Sequence, residues 1–208
     1  MTRLRKPRIV VLMNQVILAY SRLPRQLPVA IAQRWRTRLS YAHQLRLSVD
    51  AQAQARTLLG AILACYLLGE AGGSKVEPSQ LRYSAEGKPT VPGLPEFSIA
   101  HTGDWVVCAL ASTGAVGVDL EMLDESPAPL PARRAALTLW TTREAVLKAA
   151  GATLAELPQI RLSGRIAEFR GRRWHCSAPR LAANVVARLA TARPLTRLSV
   201  QAVRLSAL

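Results

Sequence analysis

Residues 97–121 read FSIAHTGDWVVCALASTGAVGVDLE: three apolar runs rich in β-branched residues, separated by two turns that each carry a glycine. Each run has the length and composition of a buried strand. Strands are therefore expected at 97–101, 105–111 and 115–121, with hairpin turns at Gly103-Asp104 and Thr113-Gly114. Just upstream the texture is irregular. Residues 81–84 read as a short extended piece, followed by the turn Glu86-Gly87-Lys88-Pro89, and Pro92 and Pro95 keep the connection non-helical.

Further upstream, Asp50 is placed to begin a helix. Its apolar positions Ala55, Leu58, Leu59, Ile62, Leu63 and Tyr66 form a broad stripe at helical spacing. Gly69 and the pair Gly72-Gly73 supply stop signals. Residues 28–41 are basic and expected to be helical. Residues 9–19 read as a strand, although basic residues precede them in the manner of a signal peptide. Asn14 and Gln15 interrupt that run, no small-residue cleavage site follows, and it is too short to cross a bilayer.

Downstream, Pro127, Pro129 and Pro131 mark a break before a helix expected at 132–150, closed by Gly151. The tail shows short β-like pieces at 160–162, 165–169, 174–176 and 198–203, while 184–189 reads as a strand or a helical turn. Strands and helices mix without regular βαβ alternation, which predicts an α+β fold.

The chain has 208 residues and a formal net charge of +15, with basic clusters at 2–8, 34–38 and 170–173. A basic surface suits anionic partners: nucleotides, nucleic acid, acidic proteins or anionic lipid. No helix-turn-helix, zinc-finger or RNP pattern accompanies the charge. Cys65, Cys108 and Cys176 form no CxxC pair, and their odd number argues against a disulfide framework. They read as small core residues, which fits a cytoplasmic setting.

Three segments carry chemistry. In Gly117-Val118-Asp119-Leu120-Glu121, residues two apart share a strand face, so Asp119 and Glu121 project together while Val118 and Leu120 face the core. Two adjacent carboxylates suit a hard cation such as Mg²⁺, which keeps waters and phosphate oxygens in its shell. Alternating exposed acids on an edge strand give the same pattern. In Trp140-Thr141-Thr142-Arg143-Glu144-Ala145-Val146-Leu147-Lys148, Glu144 and Lys148 lie one helical turn apart and share a face, as an ordinary surface ion pair would. In Gly87-Lys88-Pro89, a lysine held in a glycine- and proline-framed turn suits a phosphate or nucleotide. His101, shortly after it, suits a phosphate or a core hydrogen bond.

In this order, Gly-Lys-Pro, Phe-Ser-Ile-Ala-His, Gly-Val-Asp-Leu-Glu and Trp-x-x-Arg-Glu-Ala-x-x-Lys resemble the signature of the 4'-phosphopantetheinyl transferase superfamily, nearest to its longer, Sfp-type branch. The helix bearing Arg56 resembles the one that carries a CoA-contacting arginine in that family. The likeness covers about residues 9–165 and is nearly continuous over 81–123. It implies two similar lobes forming a pseudo-dimer: an N-terminal lobe, 1–112, with CoA-contacting residues, and a C-terminal lobe, 113–208, with the metal-binding and catalytic residues. By the same resemblance Asp119, Glu121 and Glu144 hold Mg²⁺, Glu144 takes the proton of a carrier serine, and Lys148 assists the departing 3',5'-ADP. Arg56, Lys88, Pro89, His101 and Lys148 contact coenzyme A.

The implied partners are coenzyme A and an acidic acyl or peptidyl carrier protein. A monomer is expected, with neither nucleic acid nor membrane involved. Three departures stand out. Ala100 replaces a serine, removing one hydroxyl contact to CoA worth about 0.5–1.5 kcal/mol. Arg143 replaces a lysine, keeping charge but not geometry. The link between Glu121 and Trp140 is short where the family has a longer helical insertion that shapes the carrier groove.

Overall fold

The structure, a computed structural model, describes residues 14–45, 47–123, 125 and 127–208. The basic cluster at 2–8 and residues 9–13 of the first expected strand lie outside the described residues. The fold is α+β, as the mixed pattern of elements implied.

The first sheet has four strands. Strand β1, Gln15–Arg22, lies between β5, Trp105–Ala111, and β11, Arg197–Ala202. Strand β4, Phe97–Thr102, forms the far edge beside β5. The β4–β5 hairpin turns at Gly103-Asp104, as the sequence implied. One face of this sheet packs on α3, Ala51–Gly72. Asp50 caps that helix, its Oδ1 accepting from the Ala53 amide at 2.6 Å. The helix runs through Gly69 and ends at Gly73. By length and apolarity α3 could cross a membrane, but most of its apolar residues are buried against the sheet, as in a core helix. Ahead of it stand α1, Val29–Thr37, and the short α2, Tyr41–Gln44, where one longer basic helix was expected. Two-residue strands β2, Arg82–Tyr83, and β3, Pro89–Thr90, pair across the turn at 86–88.

The second sheet has five strands. Its order is β6, Val116–Met122; β10, Val185–Thr191; β9, Arg172–Ser177; β8, Ile166–Phe169; β7, Arg161–Ser163. The turn at Thr113-Gly114 was expected to close a hairpin, and it does not. Strands β5 and β6 belong to different sheets, so the turn carries the chain from one to the other. A glycine turn fixes a change of direction; burial decides which partner the next strand finds. Strand β11 returns to the first sheet and pairs in parallel with β1.

The inner faces of the two sheets share a core: Leu18, Val107 and Ala109 meet Val118, Leu120, Val185 and Leu189. The outer face of the second sheet packs on α4, Leu130–Ala150, through Ala145, Val146 and Ala149. The layers thus run helix, sheet, sheet, helix. The edges β4 and β6 lie against each other, where the Val118 amide donates to Ser98 Oγ at 3.1 Å. Cys65, Cys108 and Cys176 are free and buried, and burial pushes their thiols up, Cys65 to about 12 and Cys176 to about 11.

Candidate active site

The site is built where α4 crosses β6. A Cβ on Gly117 would stand 2.0 Å from Ala145 O and 2.4 Å from Ala149 N, so only glycine admits the helix at this distance. Asp119 and Glu121 follow at two-residue spacing on the same strand face. The close approach therefore brings Glu144 and Lys148, one turn apart on α4, over the acid-bearing face of β6. Sequence reading had Asp119 projecting outward. Instead it is 6% exposed, covered by the helix that Gly117 admits.

Lys148 does not pair with Glu144 along its own helix among the described residues. It crosses to the strand, and its Nζ donates to Asp119 Oδ1 at 2.6 Å. The second carboxylate oxygen, Oδ2, is buried without a hydrogen-bond partner. Burial pushes the Asp119 carboxyl up to about 6; the Lys148 ammonium opposes this, while the charges of Glu144 and Glu121 reinforce it. Glu121 accepts from Thr102 Oγ1 through Oε2 at 3.0 Å, tying β6 to the end of β4.

Beside these acids lie the basic side chains of Lys88 and Lys148. A cavity of about 370 Å³ is lined by Lys88, Pro89, Ser98, Glu144 and Lys148 together with Gly151. Lys88 forms an ion pair with Glu96 and donates to Ala149 O at 3.1 Å, which fixes the turn at 86–88 against the C-terminal end of α4. His101 extends from the neighbouring part of β4. Desolvation lowers its pKa first, and the charges of Arg56 and Lys148 lower it further. Arg56, on α3, donates from Nη1 to Gly103 O at 3.2 Å.

Four of the eight expected residues thus share one cavity. Asp119 touches its Lys148, and the charges of Arg56 and Lys148 both reach His101. Glu121 does not line that cavity and is held by Thr102. Ala100, where a lost contact to CoA was expected, is buried in the core between the sheets. Trp140, one turn before Glu144, is 42% exposed. Sequence reading missed Gly117, Ser98 and Thr102. Only Gly117 gave a signal, as a side-chain-free position two residues before Asp119 on one strand face.

The donor set suits a hard divalent cation: Asp119 offers a buried, unpartnered oxygen, and two more carboxylates act on it electrostatically. Among the described residues, no three His, Cys, Asp or Glu side chains are yet drawn close enough to hold a metal. The nearest positive charge to Asp119 is instead the Lys148 ammonium.

Comparison with known proteins gives the same direction as these residues. A 70-residue stretch, 32% of the chain, is 39% identical to 4'-phosphopantetheinyl transferase Sfp of Bacillus subtilis strain 168. The chain is similar to Sfp-type 4'-phosphopantetheinyl transferases. A 4'-phosphopantetheinyl transferase from Bacillus subtilis is 29% identical over 134 residues, 53% of the chain. The transferase psf-1 of Bacillus pumilus is 35% identical over 82 residues, 38% of the chain. The matched stretches span 30%, 58% and 34% of these three transferases, respectively. No protein-family model matches the chain.

Proposed function

We propose that this chain is a magnesium-dependent enzyme that transfers the 4'-phosphopantetheine arm of coenzyme A to a serine of an acyl or peptidyl carrier protein. The observation that carries this reading is the buried Asp119 carboxylate, with one oxygen on Lys148 and the other free, beneath the helix that bears Glu144. Similarity to the Sfp-type transferases supplies the reaction class.

In this reading Asp119, Glu121 and Glu144 hold the cation. Bound Mg²⁺ would neutralise charge on the pyrophosphate of CoA as its bridging bond breaks. Glu144 accepts the proton of the carrier serine, whose Oγ forms a new bond to phosphorus. The phosphoanhydride bond on the nucleotide side breaks, and 3',5'-ADP departs. Lys148, released from Asp119, steadies or protonates the leaving phosphate. Lys88 and Pro89 line the nucleotide end, while His101 and Arg56 contact CoA phosphates. The +15 charge suits an acidic carrier. We read residues 1–112 and 113–208 as the two lobes of a pseudo-dimer, with β11 of the second lobe crossing to pair with β1 of the first. We take the protein to act as a cytoplasmic monomer, without nucleic acid or membrane.

The test is mass spectrometry of several apo-carriers after incubation with the protein, CoA and Mg²⁺. A phosphopantetheine adduct is expected, and Glu144→Gln should form it at least about 100-fold more slowly, the usual scale for a lost general base. Adduct formation by Glu144→Gln at the normal rate would refute the assigned role.

One observation favours a second reading. The link between Glu121 and Trp140 is short, which favours a CoA-binding protein with weak or lost transfer. Titration calorimetry with CoA and Mg²⁺ separates the two: such a protein would bind CoA and load no carrier.

A further inference from the structure

Arg134, Arg180 and Arg188 line a second cavity, of about 520 Å³, between the N-terminal half of α4, strand β10 and the loop at 178–183. It shares no lining residue with the cavity that holds Lys88, Glu144 and Lys148. Arg188 donates from Nη2 to Thr138 Oγ1 at 2.9 Å and from Nη1 to Ala187 O at 2.8 Å. Arg134 donates from Nη2 to Ala183 O at 2.7 Å. These bonds fix two guanidinium groups at the cavity wall, and Arg180 stands exposed beside them. Among the described residues, none of the three has a carboxylate within salt-bridge distance. Burial lowers the pKa of Arg188, and the Arg134 charge lowers it further.

Like charges held this way call for an anion. A carboxylate has two oxygens and satisfies one guanidinium fork. A phosphoryl group presents three and can accept from two or three forks at once. The volume is that of a small-molecule site. Pro179, Leu181 and Val185 give it an apolar wall for the body of a ligand. We propose that this cavity binds the phosphomonoester group of a small molecule, gripped by Arg134, Arg180 and Arg188. The site stands independently of the transferase reading.

Inorganic phosphate is the probe, titrated into the full chain by calorimetry and followed by the NMR signals of the arginine Nε–H groups. One control carries Lys148→Ala with His101→Ala, which removes two basic side chains of the other cluster. The expectation is saturable binding that survives in this control. It should weaken about tenfold in Arg188→Gln and in Arg180→Gln, the effect of one lost charge-assisted hydrogen bond. Arg180 is exposed, so its variant keeps the test free of folding defects. Three results would overturn the proposal: no saturable binding; binding that follows the Lys148 and His101 substitutions and ignores the arginines; or binding of a glutamate-rich peptide at these arginines without any of phosphate, which would mark a protein partner's site.

Discussion

The two halves of α4 treat buried charge in opposite ways. Toward the C-terminal end, the Asp119 carboxylate meets the Lys148 ammonium at 2.6 Å. Toward the N-terminal end, the half-buried Arg188 finds only a hydroxyl and a carbonyl. Yet Arg188 and Asp119 are direct partners in the β6–β10 ladder. Cross-strand neighbours of opposite sign would ordinarily pair. Here each side chain turns along the helix instead, to Lys148 and to Thr138. One charge is balanced from within the fold, and the other is left for something from outside. An internal pair can be opened by a cation that competes for the carboxylate. An unpaired cation costs stability until an anion arrives.

The contrast depends first on how closely α4 lies on β6. Gly117→Ala drives a methyl into backbone atoms at 2.0 Å and 2.4 Å, which no side-chain rotation relieves. We expect a loss of about 3 kcal/mol in urea unfolding, at the upper end of overpacking costs. A loss below about 0.5 kcal/mol would mean the helix does not hold this position.

Asp119 gives the next effect, in metal-free protein. Its folded pKa, about 6, lies above its ordinary 3.8, so folding favours the protonated form. That stabilisation is whole below 3.8 and disappears as pH rises through about 6. Stability attributable to this group should therefore fall by about 2–3 kcal/mol across that window. Asp119→Asn should flatten the slope, and an unchanged slope would mean that the carboxylate is not desolvated.

The smallest effects compare the two cations directly. Lys148→Met leaves a buried carboxylate without its partner and should cost about 2 kcal/mol at neutral pH. Arg188→Met removes an uncompensated charge and should leave stability within about 1 kcal/mol of the starting protein or raise it. Equal losses in thermal unfolding would erase the distinction between the two ends.

Much of this arrangement was legible in the sequence. The β-branched runs between 97 and 121 and the Asp50 cap announced their elements, because strand length and cap chemistry are local properties. The crossing at Thr113-Gly114 was not legible, since turn residues do not name the sheet a strand will join. The burial of Asp119 was hidden for a related reason: alternation separates two faces but does not say which one a helix will cover. The i, i+4 rule paired Lys148 with Glu144, whereas the shorter route runs across to the strand. Arg188 escaped notice because residues 184–189 read equally as strand or helical turn, and its partners depend on which.

The divalent-cation site admits a direct test: crystals grown with coenzyme A and Mn²⁺, measured at a wavelength where manganese scatters anomalously. One peak is expected within ligating distance of Asp119, Glu121 and Glu144, with Lys148 turned from Asp119 toward the pyrophosphate. Bound coenzyme A with no manganese peak among those carboxylates, and Lys148 still on Asp119, would contradict the site.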